Sequence, residues 1–272
     1  MTQRAFTQRL GIQLGRIAWP ALFGALLLAG WYGAIGLFGI PEYQLPAPHR
    51  IVEAGLEERS SLLPGMLQTT RACVVGFFAS VIGGALMSLL LAASDWVYRG
   101  AYPYIVLLKM TPIIVIAPII ILWAGQGLYS ITVITFLVCF FPIVANTTMG
   151  LRSTDTGHLD LFAVYKARRW QQLLWLRVPA ALPYFMTGLR IAAALTPIGA
   201  LYGDTVAGMG ASDEAGLGFL VIIFNSQLKI PALFAAALAS CLIGFLFVGF
   251  VNVLSWLALR RWHESYRQEG AP

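Results

Sequence analysis

Apolar residues in this chain run in long uninterrupted blocks. Ile17 to Ile40 and Ala72 to Ser94 contain no charged residue, and each is long enough for a bilayer core, which needs about 20 apolar residues per helix. Met110 to Leu151 is also free of charge and too long for one helix. The Gly125-Gln126-Gly127 break divides it, predicting spans over Ala101–Ala124 and Leu128–Gly150. A fifth span is predicted from Pro183 to about Val206 and a sixth within Ile230–Leu259, where surplus length allows tilt. Between the fourth and fifth lies a basic segment in which Trp170, Leu173 and Leu174 fall at i, i+3 and i+4. This is the apolar stripe of a short helix, with Arg168, Arg169, Gln171 and Gln172 on its other faces. A half-apolar, half-basic helix at a membrane surface suits docking to a partner.

Composition changes the picture only by making it firmer. Hydrophobic residues make up 58% of the 272 and charged residues 11%, well below the roughly 25% charged of a soluble domain. The expectation is an all-α membrane protein with six transmembrane helices in one domain, 1–272, with its core at 66–260 and the basic loop at 152–182. The positive-inside rule sets its orientation. With both termini cytoplasmic, Arg4, Arg9, Arg16, Arg99, Arg152, Lys166, Arg168, Arg169, Arg177, Arg260, Arg261 and Arg267 all fall inside. Arg50, Arg59, Arg71 and Lys229 fall outside or at the outer boundary, while Lys109 and Arg190 can snorkel. The net charge of +6 is thereby a topology signal, and no nucleic-acid partner is expected. The N-terminal arginines and apolar run mimic a signal peptide, but the run exceeds a typical h-region and no small-residue cleavage site follows. It reads as a retained span.

Enzymatic chemistry finds no place. Cys73, Cys139 and Cys241 lie inside predicted spans as small apolar side chains. His49, His158 and His263 are scattered in loops and tails. No lysine follows a glycine in a phosphate-loop pattern, and no residue set has catalytic or metal-ligand spacing. No catalytic residue, metal site or cofactor of this chain is expected, which leaves transport or anchoring. Interruptions inside the spans suit a pathway: Pro112 and Pro118 in the third, Pro142 in the fourth and Pro197 in the fifth each remove a backbone donor and favour a bend. The polar groups Gln126, Asn146, Thr147, Thr148, Thr196 and Asp204 stand out against the apolar background. Of these, Pro112, Pro118, Gln126, Asn146, Thr196 and Asp204 are the candidate pathway residues. Asp204, near the outer end of its helix, reads equally as pore lining, outer gate or interfacial acid.

The basic loop resembles the E-A-A-x3-G-x9-I-x-L-P loop of binding-protein-dependent ABC importer permeases. Pro179 matches by identity. Val178 takes the leucine position, Leu176 the isoleucine, Lys166 the glycine, and Asp160, Leu161 and Phe162 the E-A-A. Lys166 replaces the residue that turns the chain between two short helices, where a left-handed turn costs a non-glycine about 1–2 kcal/mol. Leu161 and Phe162 are bulkier than alanine, implying a wider groove in the partner. Leu45-Pro46-Ala47-Pro48, Phe141-Pro142, Arg169-Trp170-Gln171, Gly188-Leu189-Arg190 and Gly216-Leu217-Gly218 extend the likeness to the sulfonate, nitrate, taurine and pyrimidine-precursor branch. There a glutamate usually stands where this chain has Asp204. Val164–Gln172, Ile191-Ala192-Ala193 and Ile198-Gly199-Ala200 look most similar to permeases for hydroxymethylpyrimidine-type thiamine precursors.

The resemblance implies a type I ABC importer permease fold in a bacterial cytoplasmic (inner) membrane, with short cytoplasmic coupling helices between spans four and five. Two copies of the chain would form the pathway as a homodimer among membrane lipid. Two cytoplasmic ATPase subunits would hold the ATP and Mg, and a soluble solute-binding protein would deliver the cargo. Asp160, Ala163, Tyr165, Lys166, Arg168, Arg169, Trp170, Leu173, Leu174 and Arg177 would couple to the ATPase. Asp213 and Glu214 would contact the receptor. The cargo expected is a thiamine-precursor pyrimidine, the alternative a sulfonate, taurine or nitrate. An ion-coupled secondary transporter and a membrane anchor are the rivals, the first lacking a deep carboxylate before Asp204, the second leaving the prolines and the loop unexplained.

Overall fold

A computed structural model of the chain describes residues 2–208 and 215–259, with side chains from 18 to 208 and from 215 to 258. The described residues are helical throughout, joined by turns. In order they are α1 (Thr2–Phe38), α2 (Pro48–Glu57), α3 (Arg59–Ala93), α4 (Asp95–Met110), α5 (Ile113–Ala124), α6 (Leu128–Arg152), α7 (Thr156–Val164), α8 (Arg169–Gln172), α9 (Val178–Ala207), α10 (Leu217–Ser226) and α11 (Ile230–Leu259). Five stretches are long and apolar enough to cross a membrane, and α4 with α5 makes a sixth if taken as one broken crossing.

The third span, predicted over Ala101–Ala124 with bends at Pro112 and Pro118, is broken at the first of them. Its two halves meet at 99°. Thr111 is extended (φ −72°, ψ 123°), the conformation that sterics favour before proline, and Pro112 then caps α5. The other prolines do not break their helices: α5 runs through Pro118, α6 through Pro142 and α9 through Pro197. The α5–α6 break falls where glycine permits it, with Gly125 at φ 79° and Gly127 at φ 108°.

The described residues form two compact units, one from 2–59 with 224–235 and one from 60–208 and 215–223 with 236–259. In the first, Tyr32 stacks on His49 at 6.0 Å and their polar atoms lie 3.0 Å apart. Lys229 pairs there with Glu58.

The second unit is built on small residues. Along α3, Ala72, Gly76, Ser80, Gly84, Ser88 and Ala92 recur every fourth position, and all are buried. This ladder lies against α6 running the same way. A Cβ on Gly76 would sit 2.7 Å from Thr135 and one on Gly84 2.8 Å from Ile143. Ser80 Oγ donates to the Phe136 carbonyl at 2.8 Å and Ser88 Oγ to that of Val144 at 3.3 Å. Lipid tails are as apolar as leucine, so membrane helices associate through such close backbone approach and interhelical hydrogen bonds. α6 then pairs antiparallel with α9. Gly150 abuts Tyr184, Gly188 abuts Asn146 and Ile143, Gly199 abuts Thr135, and Gly203 abuts Ile131. The Gly127 N–H closes the far end on the Ala207 carbonyl at 2.7 Å.

Candidate functional site

The loop between α6 and α9 opens with a capped helix. Asp155 accepts from the Gly157 N–H at 2.9 Å, satisfying one free donor of α7. At the other end the Lys166 N–H donates to Ala163 O and the Ala167 N–H to Phe162 O, each at 2.9 Å. This is the paired bond pattern that closes a helix through a left-handed residue. That residue is Lys166, at φ 53°, so a lysine makes the turn for which a glycine is suited.

α8 follows, with Gln171 Oε1 accepting from the Arg168 N–H at 2.7 Å. It passes into a five-residue π-turn, Leu173–Arg177, that continues into α9. The wider turn alters the stripe expected from α-helical spacing. Leu173 turns inward, half-buried against Ala92, Leu151 and Ala181. Trp170 and Leu174 stay exposed at 51% and 50%. Trp175, which the α-period does not pick out, joins them at 67% exposed, its ring 6.5 Å from that of Trp170 at 79°. Residues five apart share a face only where the helix widens to i→i+5 bonding. Asp160, Ala163, Tyr165, Lys166, Arg168 and Arg169 are exposed. Arg177, expected to reach outward, is half-buried and donates to the Ala92 carbonyl at 3.5 Å. It borders a cavity of about 160 Å³ with Asp95, Arg169 and Gln172.

At the opposite end of α9, Asp204 has no exposed surface and so lines nothing in this conformation. Its Oδ2 accepts from Thr69 Oγ1 of α3 at 2.6 Å. The same hydroxyl accepts from the Leu217 N–H, at the start of α10, at 2.9 Å. The Gly218 amide also bears on the carboxylate, though Oδ1 itself lacks a well-formed hydrogen bond. Gly216 and Gly218 pack so tightly on Asp204 that neither has space for a Cβ. The acid thus ties three helices together where the positive end of α10 favours negative charge.

The remaining pathway candidates are dispersed. Thr196 is wholly buried and donates to Ala192 O at 2.8 Å, with Cys139 Sγ 3.2 Å away. Pro118 and Gln126 are exposed, the latter in the α5–α6 turn. Pro112 borders an apolar cavity of about 470 Å³ with Ile113, Leu137 and Phe141. Asn146 borders a more polar cavity of about 560 Å³ with Tyr98, Tyr102, Lys109, Thr148 and Arg152. Arg152 pairs with Asp95 at 2.8 Å, and that guanidinium holds the exposed Asp95 carboxyl below the usual carboxylate range. Asp213 and Glu214 lie outside the described residues. Among the described residues no cluster of three metal-ligating side chains occurs.

Residues 80–256 match the model of a family described as the binding-protein-dependent transport system inner membrane component. The chain belongs to that family. It is 37% identical to a formylaminopyrimidine transport permease protein, ThiX, of Halalkalibacterium halodurans, over 84% of this chain and 89% of that one. It is 32% identical to a riboflavin transport system permease protein, RibX, of Chloroflexus aurantiacus, over 93% and 94%. Among solved structures it superposes on a chain from the inward-facing MetNI methionine ABC transporter, with a TM-score of 0.57 and 18% identity, over 72% of this chain and 97% of that one. The fold is that of a type I ABC importer permease. This member of the family is accordingly a multi-pass membrane transport subunit rather than an enzyme, in a family whose members work with ATPases and binding proteins.

Proposed function

We propose that this permease, as a homodimer on two ATPase subunits, imports a small heteroaromatic solute of the pyrimidine-precursor type. The solute would be delivered by a soluble receptor outside the bacterial inner membrane. The observation that carries the coupling role is the paired exposure of Trp170 on α8 and Trp175 on the π-turn that leads without interruption into α9. Two solvent-exposed tryptophans in ring contact, next in sequence to the exposed Leu174, form an apolar surface that calls for a covering partner.

In this reading α7, α8 and the π-turn seat in a groove of the ATPase. Trp170, Leu174 and Trp175 supply the buried contact, and Asp160, Ala163, Tyr165, Lys166, Arg168 and Arg169 its polar surround. Leu173 and Arg177 brace the loop from within. Closure of the ATPases on ATP and Mg moves the loop, and α9 passes the movement to α6 along their glycine-lined seam. Pro112 and Asn146, which border cavities, are the pathway positions, and Asp213 and Glu214 the receptor contacts. The cargo class draws support from the formylaminopyrimidine permease, 37% identical over most of both chains.

The test is ATP hydrolysis by this chain co-expressed with its neighbouring ATPase and receptor in nanodiscs, scanned against formylaminopyrimidine, riboflavin, taurine and nitrate. Receptor-dependent stimulation by the pyrimidine supports the reading. Stimulation by taurine or nitrate moves the cargo to the sulfonate and nitrate side, and a chain that recruits no ATPase overturns the coupling.

A further inference from the structure

The cavity between α4 and α6 joins charge to aromatic surface. Its volume, about 560 Å³, falls within the roughly 300–1,000 Å³ of small-molecule sites. One wall is a stack. The Arg152 guanidinium lies 3.9 Å over the Tyr98 ring, and Tyr102 stacks on Tyr98 at 4.7 Å and 23°. Tyr98 thus has two stacking partners, Arg152 and Tyr102, while among the described residues no second ring stacks on Tyr102.

The basic groups of this cavity differ in charge balance. Arg152 is neutralised by Asp95. Lys109 lies within the broken span, one residue before α4 ends, and among the described residues no acid forms an ion pair with it. An ionisable side chain at membrane depth is costly unless it faces a partner or a water-filled cavity. Lys109 borders both this cavity and the apolar one at the Pro112 break. Asn146 directs its amide N–H to the Pro142 carbonyl at 2.8 Å, which leaves its Oδ1 as an acceptor. Thr148 carries a buried hydroxyl without a partner.

We infer that this cavity is a binding station inside the permease for a flat heteroaromatic solute, its ring stacked on Tyr102 and its acceptor edge at Lys109, with Asn146 Oδ1 receiving a ring amine. The inference rests on the importer reading above and adds a recognition step in this chain to that of the receptor. A tetrahedral sulfonate has no face to lay on Tyr102, so the station separates planar from non-planar cargo.

The experiment measures uptake of labelled formylaminopyrimidine, riboflavin and taurine by the complete complex in proteoliposomes. Unaltered complex is compared with Tyr102→Leu, Lys109→Met and the conservative Tyr102→Phe and Lys109→Arg. A stacking contact to a base is strong enough that its loss should lower planar uptake about tenfold, with Tyr102→Phe restoring it and Lys109→Arg restoring most of it. All variants should co-purify with the ATPase as the unaltered chain does. Planar uptake unchanged in Tyr102→Leu and Lys109→Met overturns the station and leaves the importer standing. Uptake of taurine alone by the unaltered complex overturns the planar class and leaves the importer standing. Loss of co-purification in the variants makes the cavity an assembly surface and overturns the station. Failure of the unaltered chain to recruit an ATPase overturns the importer reading, and this one with it.

Discussion

The two ends of α9 make opposite use of polar chemistry. At its start the chain leaves tryptophans in the open and holds Lys166 in a left-handed turn. At its finish it closes completely around one carboxylate, shared between Thr69 and the first turn of α10. In the proposed reading the first end awaits a partner, whereas the second is buried within the fold. Substitutions should therefore separate cleanly, those near Asp204 harming the fold and those near Trp170 harming coupling.

Asp204→Leu should have the largest effect. It strips the partner from a buried hydroxyl and from a helix start and places a branched side chain against Gly216 and Gly218, where a buried donor left unpaired alone costs about 1–3 kcal/mol. Thermal unfolding of the purified permease in detergent should show a large loss of stability, with Asp204→Asn milder because it keeps an acceptor. An Asp204→Leu protein of unaltered stability that fails only in coupling would reverse the comparison. Trp170→Asp comes next. Burial of a large apolar side chain contributes about 1.5–3 kcal/mol, so binding of the ATPase should weaken roughly 10- to 100-fold. The permease alone should unfold at its usual temperature. The measurement is co-purification titrated against ATPase concentration, and Trp175→Asp should behave alike.

Lys166→Gly is smaller and of opposite sign. It relieves a left-handed residue that costs about 1 kcal/mol or more, so the loop should resist proteolysis slightly better while coupled transport persists. Loss of coupling in that variant would mean that the lysine side chain itself contacts the partner. The smallest effect is expected at Asp95. Its carboxyl is held below the usual range in the fold by Arg152, so whatever stability the pair adds is present above the unfolded carboxylate pKa and fades as pH falls through the lower folded one. Because Asp95 is exposed, Asp95→Asn should barely move the unfolding temperature at neutral pH and should flatten only the acid limb of the stability profile.

The sequence carried the spans and the loop because both are written in local terms, length of apolar run and spacing of charge. The 99° corner at Pro112 was less legible, since Pro118, Pro142 and Pro197 look alike on the page. What distinguishes Pro112 is an extended Thr111 before it and helices that end and begin around it. Trp175 was hidden because a π-turn shifts the helical period by one residue, which sent Leu173 inward in its place. Asp204 was ambiguous for a different reason: its partner Thr69 stands 135 residues away, beyond any local pattern. The small residues of α3 were legible in principle at their four-residue spacing, but hydropathy registers glycine and serine as weak spots in a span and misses that they form its contact face.

That ladder also sets how freely α3 can diverge. Gly76, Ser80, Gly84 and Ser88 stand where another backbone begins, while Val75, Phe78, Ile82 and Leu86 are 53%, 48%, 62% and 57% exposed and face nothing of their own unit so closely. In a saturation library of this one helix, tolerance would rise and fall every four residues, with the narrowest alphabets at the least hydrophobic letters.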